Sequence, residues 1–289
     1  MYNNGKELLE KCHELNLAIS EIVILDEMES TEADRNNIIN NMKIILKVMK
    51  NSIDSYENKT KHTMGNIIGG EAKKLNCYMH NNKTICGSSI NKAMMRALAC
   101  SEHNASMGRI CAAPTAGSSG IIPASLITVA EEFSLNEDIL IKGLLTASGI
   151  GKIITQNATV AGAEGGCQAE CGSAAAMAAA GIVEMVGGTP EMSLTAASIC
   201  LKNIMGLICD PIAGLVESPC SKRNSSGAVN AMTSAELALS GIKSVVNLDE
   251  TVEAMYNVGI SMHPNFKETA RGGIAVTETG KAISKNIIG

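Results

Sequence analysis

Residues 162–186 read GAEGGCQAECGSAAAMAAAGIVEMV, a glycine-rich junction followed by a run of alanine. The alanine-rich part, residues 173–186, favours a helix, and its small side chains let neighbouring helices approach closely. Aromatic residues make up only 2% of the chain, and Met occurs 16 times. The core must therefore be built from aliphatic, Ala and Met side chains, which predicts a bundle of closely packed helices.

The rest of the chain shows the same helical character. Apolar residues recur every three or four positions in residues 8–15, and they do so more fully in residues 38–49. Hairpin-type turns between alternating apolar runs are missing from the sequence. We therefore predict one all-α domain over residues 1–289, with an N-terminal helical pair (1–60) packed on it. The polar stretch 51–66 is predicted to be a loop between the pair and the main body.

Three stretches carry signals for the start of a helix. Thr31 and Ser134 are each followed three residues later by an acidic residue, as in a capping box. Residues 189–191, Thr-Pro-Glu, combine a cap, a first-turn proline and a first-turn acid. Each stretch is predicted to open a helix.

Charge and hydropathy argue against nucleic-acid binding and against insertion into a membrane. The net charge is −5, and no long basic run occurs, so nucleic-acid binding is not expected. The N-terminus is polar and has no apolar signal-peptide core. The most apolar stretch, 173–186, contains Glu184 and is shorter than the roughly 20 residues that a spanning helix needs. We expect a cytoplasmic protein that does not enter the membrane.

The first candidate binding site is the junction CAAPTAGSSGIIP, residues 111–123. A hydroxyl-lined, glycine-containing loop at the start of a helix is suited to bind an anion. The residues expected to receive a substrate carboxylate are Thr115, Gly117, Ser118, Ser119 and Gly120. The alternative is an ordinary loop in which Ser118 or Ser119 caps the helix that follows.

Cysteines mark a second candidate site. Ten occur. Apart from Cys111 of the first junction, four lie in glycine- or proline-rich junctions, namely Cys167, Cys171, Cys209 and Cys220. A cysteine at a glycine-rich helix start is expected to have a lowered pKa and good access, as a metal-binding thiolate requires. The spacing matches no common compact ferredoxin or zinc motif. Buried, inert cysteines in closely packed helices remain the alternative.

Four stretches, taken in order, resemble the alpha chain of the iron–sulfur-dependent L-serine dehydratases. They are EHNASMGRICAAPTAGSSGIIP (102–123), GAEGGCQAE (162–170), CDPIAGLVESPCSKRN (209–224) and KETARGGI (267–274). The resemblance extends over nearly the whole chain. Each stretch alone is weak, but the four in this order are specific.

The resemblance implies that Cys167, Cys209 and Cys220 hold three irons of a [4Fe–4S] cluster, leaving the fourth iron open for substrate. Cys171 stands where an apolar residue is more usual in that family, so it is not expected to be a ligand. The resemblance further implies that the chain works with a separate beta subunit. It also implies a role in amino-acid catabolism and gluconeogenesis.

The implied reaction is β-elimination of water from L-serine, giving pyruvate and ammonia. Lys267 is the candidate base or carboxylate partner on this chain, and the beta subunit is another possible source of the base. The sequence does not select among its imidazoles, His13, His62, His80, His103 and His263. Two alternatives stay open at this point: a related enzyme that removes sulfide from cysteine, and a cluster-bearing redox or iron sensor without catalysis.

Overall fold

The structure is a computed structural model that describes residues 1–54 and 62–289. Within those residues there are thirteen α-helices and no β-sheet, which confirms the all-α prediction. The helices are α1 (Gly5–Leu15), α2 (Ile19–Thr31), α3 (Arg35–Ile53), α4 (Glu71–Asn81), α5 (Gly87–Ala105), α6 (Ile121–Glu132), α7 (Glu137–Asn157), α8 (Gly162–Gly165), α9 (Ser173–Met185), α10 (Pro190–Lys202), α11 (Cys220–Leu239), α12 (Leu248–Ser261) and α13 (Glu278–Ile288).

Helix α9, the alanine-rich segment, lies at the centre of the bundle. It packs against α6, α7, α10 and α11, and all of its residues except Glu184 are buried. Its closest approach is to α7, where a Cβ atom placed on Gly181 would lie 2.5 Å from the carbonyl oxygen of Gly143. The small side chains predicted from the sequence therefore let the central helix contact several neighbours at short range.

The N-terminal region contains three helices rather than the predicted pair. The additional helix is α2, which packs against α7. It was not expected because Ile22, Val23, Ile24 and even Asp26 are buried, so the segment has no clear polar face to reveal a helical period. Its start is tied to the central helix, because the Ser20 amide donates to the Glu184 carboxylate at 3.2 Å.

Two of the three predicted helix starts are shifted. Helix α3 is capped by Asp34, whose side chain accepts from the Asn37 amide, while Thr31 ends the preceding helix. Helix α7 is capped by Asn136 and not by Ser134. In both cases a nearer Asp or Asn competes successfully for the cap. The third start is confirmed: Thr189 accepts from the Met192 amide at 3.4 Å, and Pro190 opens α10.

The predicted loop at 51–66 is only partly observable. Helix α3 continues to Ile53, and residues 55–61 lie outside the described part of the chain. None of the helices in residues 1–54 and 62–289 is both long and apolar enough to cross a membrane.

We predict that Gly181→Ala lowers the free energy of unfolding by about 1–3 kcal/mol, because its methyl group would overlap the backbone of α7, which has little room to move. Gly172→Ala is the matched control, since a Cβ atom there lies no closer than 3.6 Å to any neighbour. Urea unfolding of both variants tests the prediction. Equal stability of the two variants would show that α7 and α9 are not in close contact.

Candidate active site

Three separate segments bring the predicted metal-binding cysteines into one buried region. Cys167 follows the short helix α8 and precedes a single π-helical turn, Gln168–Gly172. Cys209 lies in an extended segment, and Cys220 is the first residue of α11. Their exposed fractions are 1%, 2% and 6%. The good access expected for Cys167 is therefore wrong for this structure, because neighbouring segments cover the junction.

Gly166 and Gln168 hold the first two of these segments together. Gly166 has φ +75°, and a side chain on it would meet the Leu207 carbonyl oxygen at 2.8 Å, so glycine is required there. The backbone N–H of Gln168 donates to the Leu207 carbonyl oxygen. The side-chain oxygen of Gln168 accepts from the Gly206 amide at 2.8 Å. The same side chain donates to the Met255 carbonyl at 2.9 Å. These bonds fix the π turn against the segment that carries Cys209.

The thiols interact with one another. The Sγ atoms of Cys167 and Cys171 are 3.9 Å apart. Hydrogen bonds from the Cys171 and Cys209 thiols lower the pKa of Cys167, and Arg223 lowers it further. Burial raises the pKa of Cys220 to about 12, and the negative charge on Cys167 contributes to that rise. The thiols are thus electrostatically coupled, and Arg223 favours negative charge at Cys167.

Arg223 supplies positive charge beside the thiols and is itself held in place. Its guanidinium donates to the Ile208 carbonyl at 2.9 Å and to Asp210 at 2.8 Å. Asp210 also accepts from the Ile274 amide at 2.8 Å, which ties in the segment at 267–274. Three of the four stretches that resemble the dehydratases therefore meet around this ion pair.

The remaining stretch, which contains the predicted carboxylate loop, is held against α11 by Asn224. The Asn224 side chain donates to the carbonyl oxygens of Gly117 (2.6 Å) and Cys220 (2.9 Å), and it accepts from the Gly120 amide at 2.9 Å. Asn224 is 2% exposed, so water cannot readily replace these bonds. This one side chain thus couples the loop to a predicted cluster ligand.

Within the loop, the hydroxyl groups point in different directions. Thr115 donates to Glu170 and lies 3.1 Å from the Ser118 hydroxyl. Ser119 instead accepts from the Cys100 thiol of α5 at 3.8 Å. Helix α6 begins after Gly120, so neither serine is its cap. Thr115 thus links the loop to the π turn that carries Glu170.

Glu170 was not predicted from the sequence. Its carboxylate lies in the π turn between the loop and the thiols, and a ligand atom from each of Cys167, Glu170 and Cys171 lies within 4.8 Å of the others. Burial raises the pKa of Glu170 to about 7, although the hydrogen bond from Thr115 opposes this. Glu170 falls in the glycine-rich junction, but its spacing gave no reason to prefer it over Glu164.

Lys267 lies beside Cys209 through backbone contacts. The two residues form an isolated parallel β-bridge. In it, the Cys209 amide donates to the Phe266 carbonyl oxygen and the Glu268 amide donates to the Cys209 carbonyl oxygen, each at 2.8 Å. A Cβ atom on Gly162 would lie 3.2 Å from the Cys209 sulfur and 3.4 Å from a Glu268 oxygen. Glu268 therefore brings a second carboxylate to this region, and the role of Lys267 stays a prediction.

Comparison with known sequences shows which family the chain belongs to. The family described as "Serine dehydratase alpha chain" matches residues 14–275. The chain belongs to this family. It is 46% identical to the "Probable L-serine dehydratase, alpha chain" of Bacillus subtilis, with 100% of this chain and 96% of the relative covered. It is also 46% identical to the "L-serine dehydratase, alpha chain" of Peptoniphilus asaccharolyticus, covering 100% of this chain and 99% of the relative.

A longer relative is similar to this chain over part of its own length. The "L-serine dehydratase" of Mycobacterium bovis is 36% identical over 95% of this chain, which covers 61% of that protein. The membership of the serine dehydratase alpha-chain family predicted from four short stretches is thus confirmed over the whole chain.

We predict that Asn224→Ala lowers the free energy of unfolding by about 1–3 kcal/mol, because it leaves the buried partners of the side chain without hydrogen bonds. It should also speed hydrogen exchange at the Gly120 amide. Asn230→Ala is the control, since Asn230 lies on the same helix but binds the Cys200 carbonyl. Unchanged exchange at Gly120 in Asn224→Ala would contradict the proposed coupling of the loop to α11.

Proposed function

We propose that this chain is the catalytic alpha subunit of an L-serine dehydratase, which eliminates water from L-serine to give pyruvate and ammonia. The observation that carries the proposal is the burial of three family-predicted cysteines in one region, beside a hydroxyl-containing loop. Full-length identity of 46% to alpha chains with this name supports it. The proposal includes a separate beta subunit as partner, because the relatives are named as alpha chains.

The donor set fits the [4Fe–4S] cluster that the resemblance implies. Cysteine thiolates are the usual ligands of such clusters, and Cys167, Cys209 and Cys220 come from three segments fixed by separate hydrogen bonds. Gly162 and Gly117 pack closely against the sulfur and carboxylate atoms, since a Cβ on either would lie within 3.3 Å of them, and glycine thus lets the backbone approach the donor groups. Arg223 offsets part of the negative charge that thiolates would bring. When bound, the cluster would supply a Lewis acid for the serine hydroxyl.

The residues of the chain have distinct tasks in this mechanism. The loop of Thr115, Gly117, Ser118, Ser119 and Gly120 receives the substrate carboxylate in this proposal, which requires its hydroxyl groups to exchange their present partners for the substrate. Asn224 holds that loop in position. A base, for which Lys267 is the candidate on this chain, takes the proton from Cα. The Cα–H electron pair forms the Cα=Cβ bond as hydroxide leaves Cβ. The resulting aminoacrylate becomes an imine, and water releases ammonia and pyruvate, with no net oxidation or reduction.

We predict that replacing Cys167, Cys209 or Cys220 singly by Ser abolishes both stable cluster binding and pyruvate formation, because each removes a thiolate ligand. Cys171→Val should retain both. Cys200→Ser, at a buried cysteine of α10, controls for the loss of any buried thiol. Iron, acid-labile sulfide and pyruvate would be measured after anaerobic reconstitution with the beta subunit.

The assay should compare L-serine with L-cysteine. Pyruvate formation from cysteine in preference to serine would contradict the dehydratase proposal and support a desulfidase. A cluster-containing complex that acts on neither substrate would instead support the sensor. Normal iron content in Cys209→Ser would contradict the ligand assignment.

We further predict that the double variant Ser118→Ala, Ser119→Ala raises the KM for serine roughly tenfold, the typical effect of losing hydrogen bonds to a charged group, while its iron content is unchanged. Ser125→Ala is the control, because Ser125 is buried in the adjoining helix and binds the Ile121 carbonyl. An unchanged KM in the double variant would show that these hydroxyls do not contact substrate.

A further inference from the structure

The mechanism so far gives no role to the buried carboxylate of Glu170. It lies at the point where the substrate loop and the thiols approach each other. On the loop side, Thr115 donates its hydroxyl hydrogen to Oε1, and a Cβ atom on Gly117 would lie 2.6 Å from the same oxygen. On the thiol side, a Cβ atom on Gly162 would lie 3.3 Å from Oε2 and 3.2 Å from the Cys209 sulfur.

The position of Glu170 is fixed by its surroundings. It belongs to the π turn that Gln168 holds against Leu207 and Gly206, and it is 9% exposed. A substrate that contacts both the loop and the thiol region must pass alongside this carboxylate. The backbone of Gly117 and of Gly162 approaches this carboxylate closely, since a Cβ atom at either position would lie within 3.3 Å of one of its oxygens.

The charge at this position restricts which part of an amino acid can lie there. L-serine has a carboxylate, an ammonium group and a hydroxyl group. A carboxylate on the protein repels the first and attracts the second, and the attraction is strong in a site with little water. The nearby cation, Arg223, already donates to Ile208 and Asp210. Glu268 adds a second carboxylate beside Gly162, since a Cβ atom on that glycine would lie 3.4 Å from its Oε2.

We infer that Glu170 binds the α-ammonium group of the substrate and thereby selects amino acids over the corresponding carboxylic acids. The inference rests on the proposed dehydratase function. With the carboxylate on the loop and the ammonium on Glu170, the amino acid is held at two points, and its β-carbon is directed toward the thiols. Glu170 is in this sense a specificity-determining residue that contacts substrate.

The test compares L-alanine with propionate, which differ only in the ammonium group and have no hydroxyl to eliminate. Both would be measured as inhibitors of serine turnover and by anaerobic titration calorimetry, using the cluster-loaded complex of alpha and beta subunits. The wild-type complex should bind L-alanine more tightly than propionate. Glu170→Gln should reduce that preference about tenfold or more, because it removes a buried charge and keeps the shape. Propionate affinity and iron content should change little.

Glu164→Gln is the matched control. Glu164 lies in the same junction, is exposed, and accepts from the Thr159 hydroxyl as Glu170 accepts from Thr115. It should keep the wild-type preference. Thr115→Val removes the hydroxyl partner but not the charge of Glu170, so it should also keep the preference. If Glu170→Gln does not fold, Glu170→Asp replaces it, and its shorter carboxylate should weaken L-alanine binding more than propionate binding.

An unchanged preference in Glu170→Gln would overturn the inference, and the accompanying changes would show why. An equal loss of affinity for both ligands would mean that Glu170 only positions Thr115. A lower kcat with unchanged affinities would mean that Glu170 serves another step. Failure of the proposed function is distinguishable, because a wild-type complex without iron or pyruvate formation reveals it, whereas calorimetry of the two ligands does not require turnover.

Discussion

The close contact between α7 and α9 is the constraint on which the rest of the structure depends. A helix can be surrounded by four others only if its side chains are small, and α9 meets this requirement with Ala at six of its thirteen positions. The dense packing excludes water from the region around the start of α9. The π turn with Cys167, Glu170 and Cys171 leads directly into that start, so its thiols and its carboxylate are buried as a consequence of the packing.

Burial has different consequences for the polar groups of the site. A buried side chain with a complete set of partners becomes a rigid cross-link, and Gln168 and Asn224 are of this kind. Each joins segments that are far apart in sequence, and together they determine how the loop, the π turn and the Cys209 segment are arranged. Cys167, Glu170 and Cys171, in contrast, each place a ligand atom within 4.8 Å of the others, and Arg223 is a positively charged partner of this group.

The sequence allowed the helical class, the central helix and the family to be predicted, because these depend on local composition and on short motifs. Helix α2 and two helix caps were missed or misplaced, since a segment buried on several sides has no periodic pattern and neighbouring Asp or Asn residues compete for a cap. For the candidate site, the sequence singled out the junctions that contain Cys167, Cys209 and Cys220, and their role as cluster ligands stays a prediction. Glu170, Gln168 and Asn224 were not singled out, because their roles depend on partners from distant segments.

The charges of the site also suggest why its parts are arranged around Arg223. Cys167, Glu170, Glu268 and Asp210 all carry or can carry negative charge, and Arg223 is the cation that contacts this group through Asp210 and Cys167. Its guanidinium is committed by two fixed hydrogen bonds, so it cannot turn to neutralise each acid separately. A region with this surplus of negative charge favours cations, both metal ions held by sulfur and ammonium groups. The same electrostatic property would favour both the proposed metal centre and the inferred selection of an amino-acid substrate.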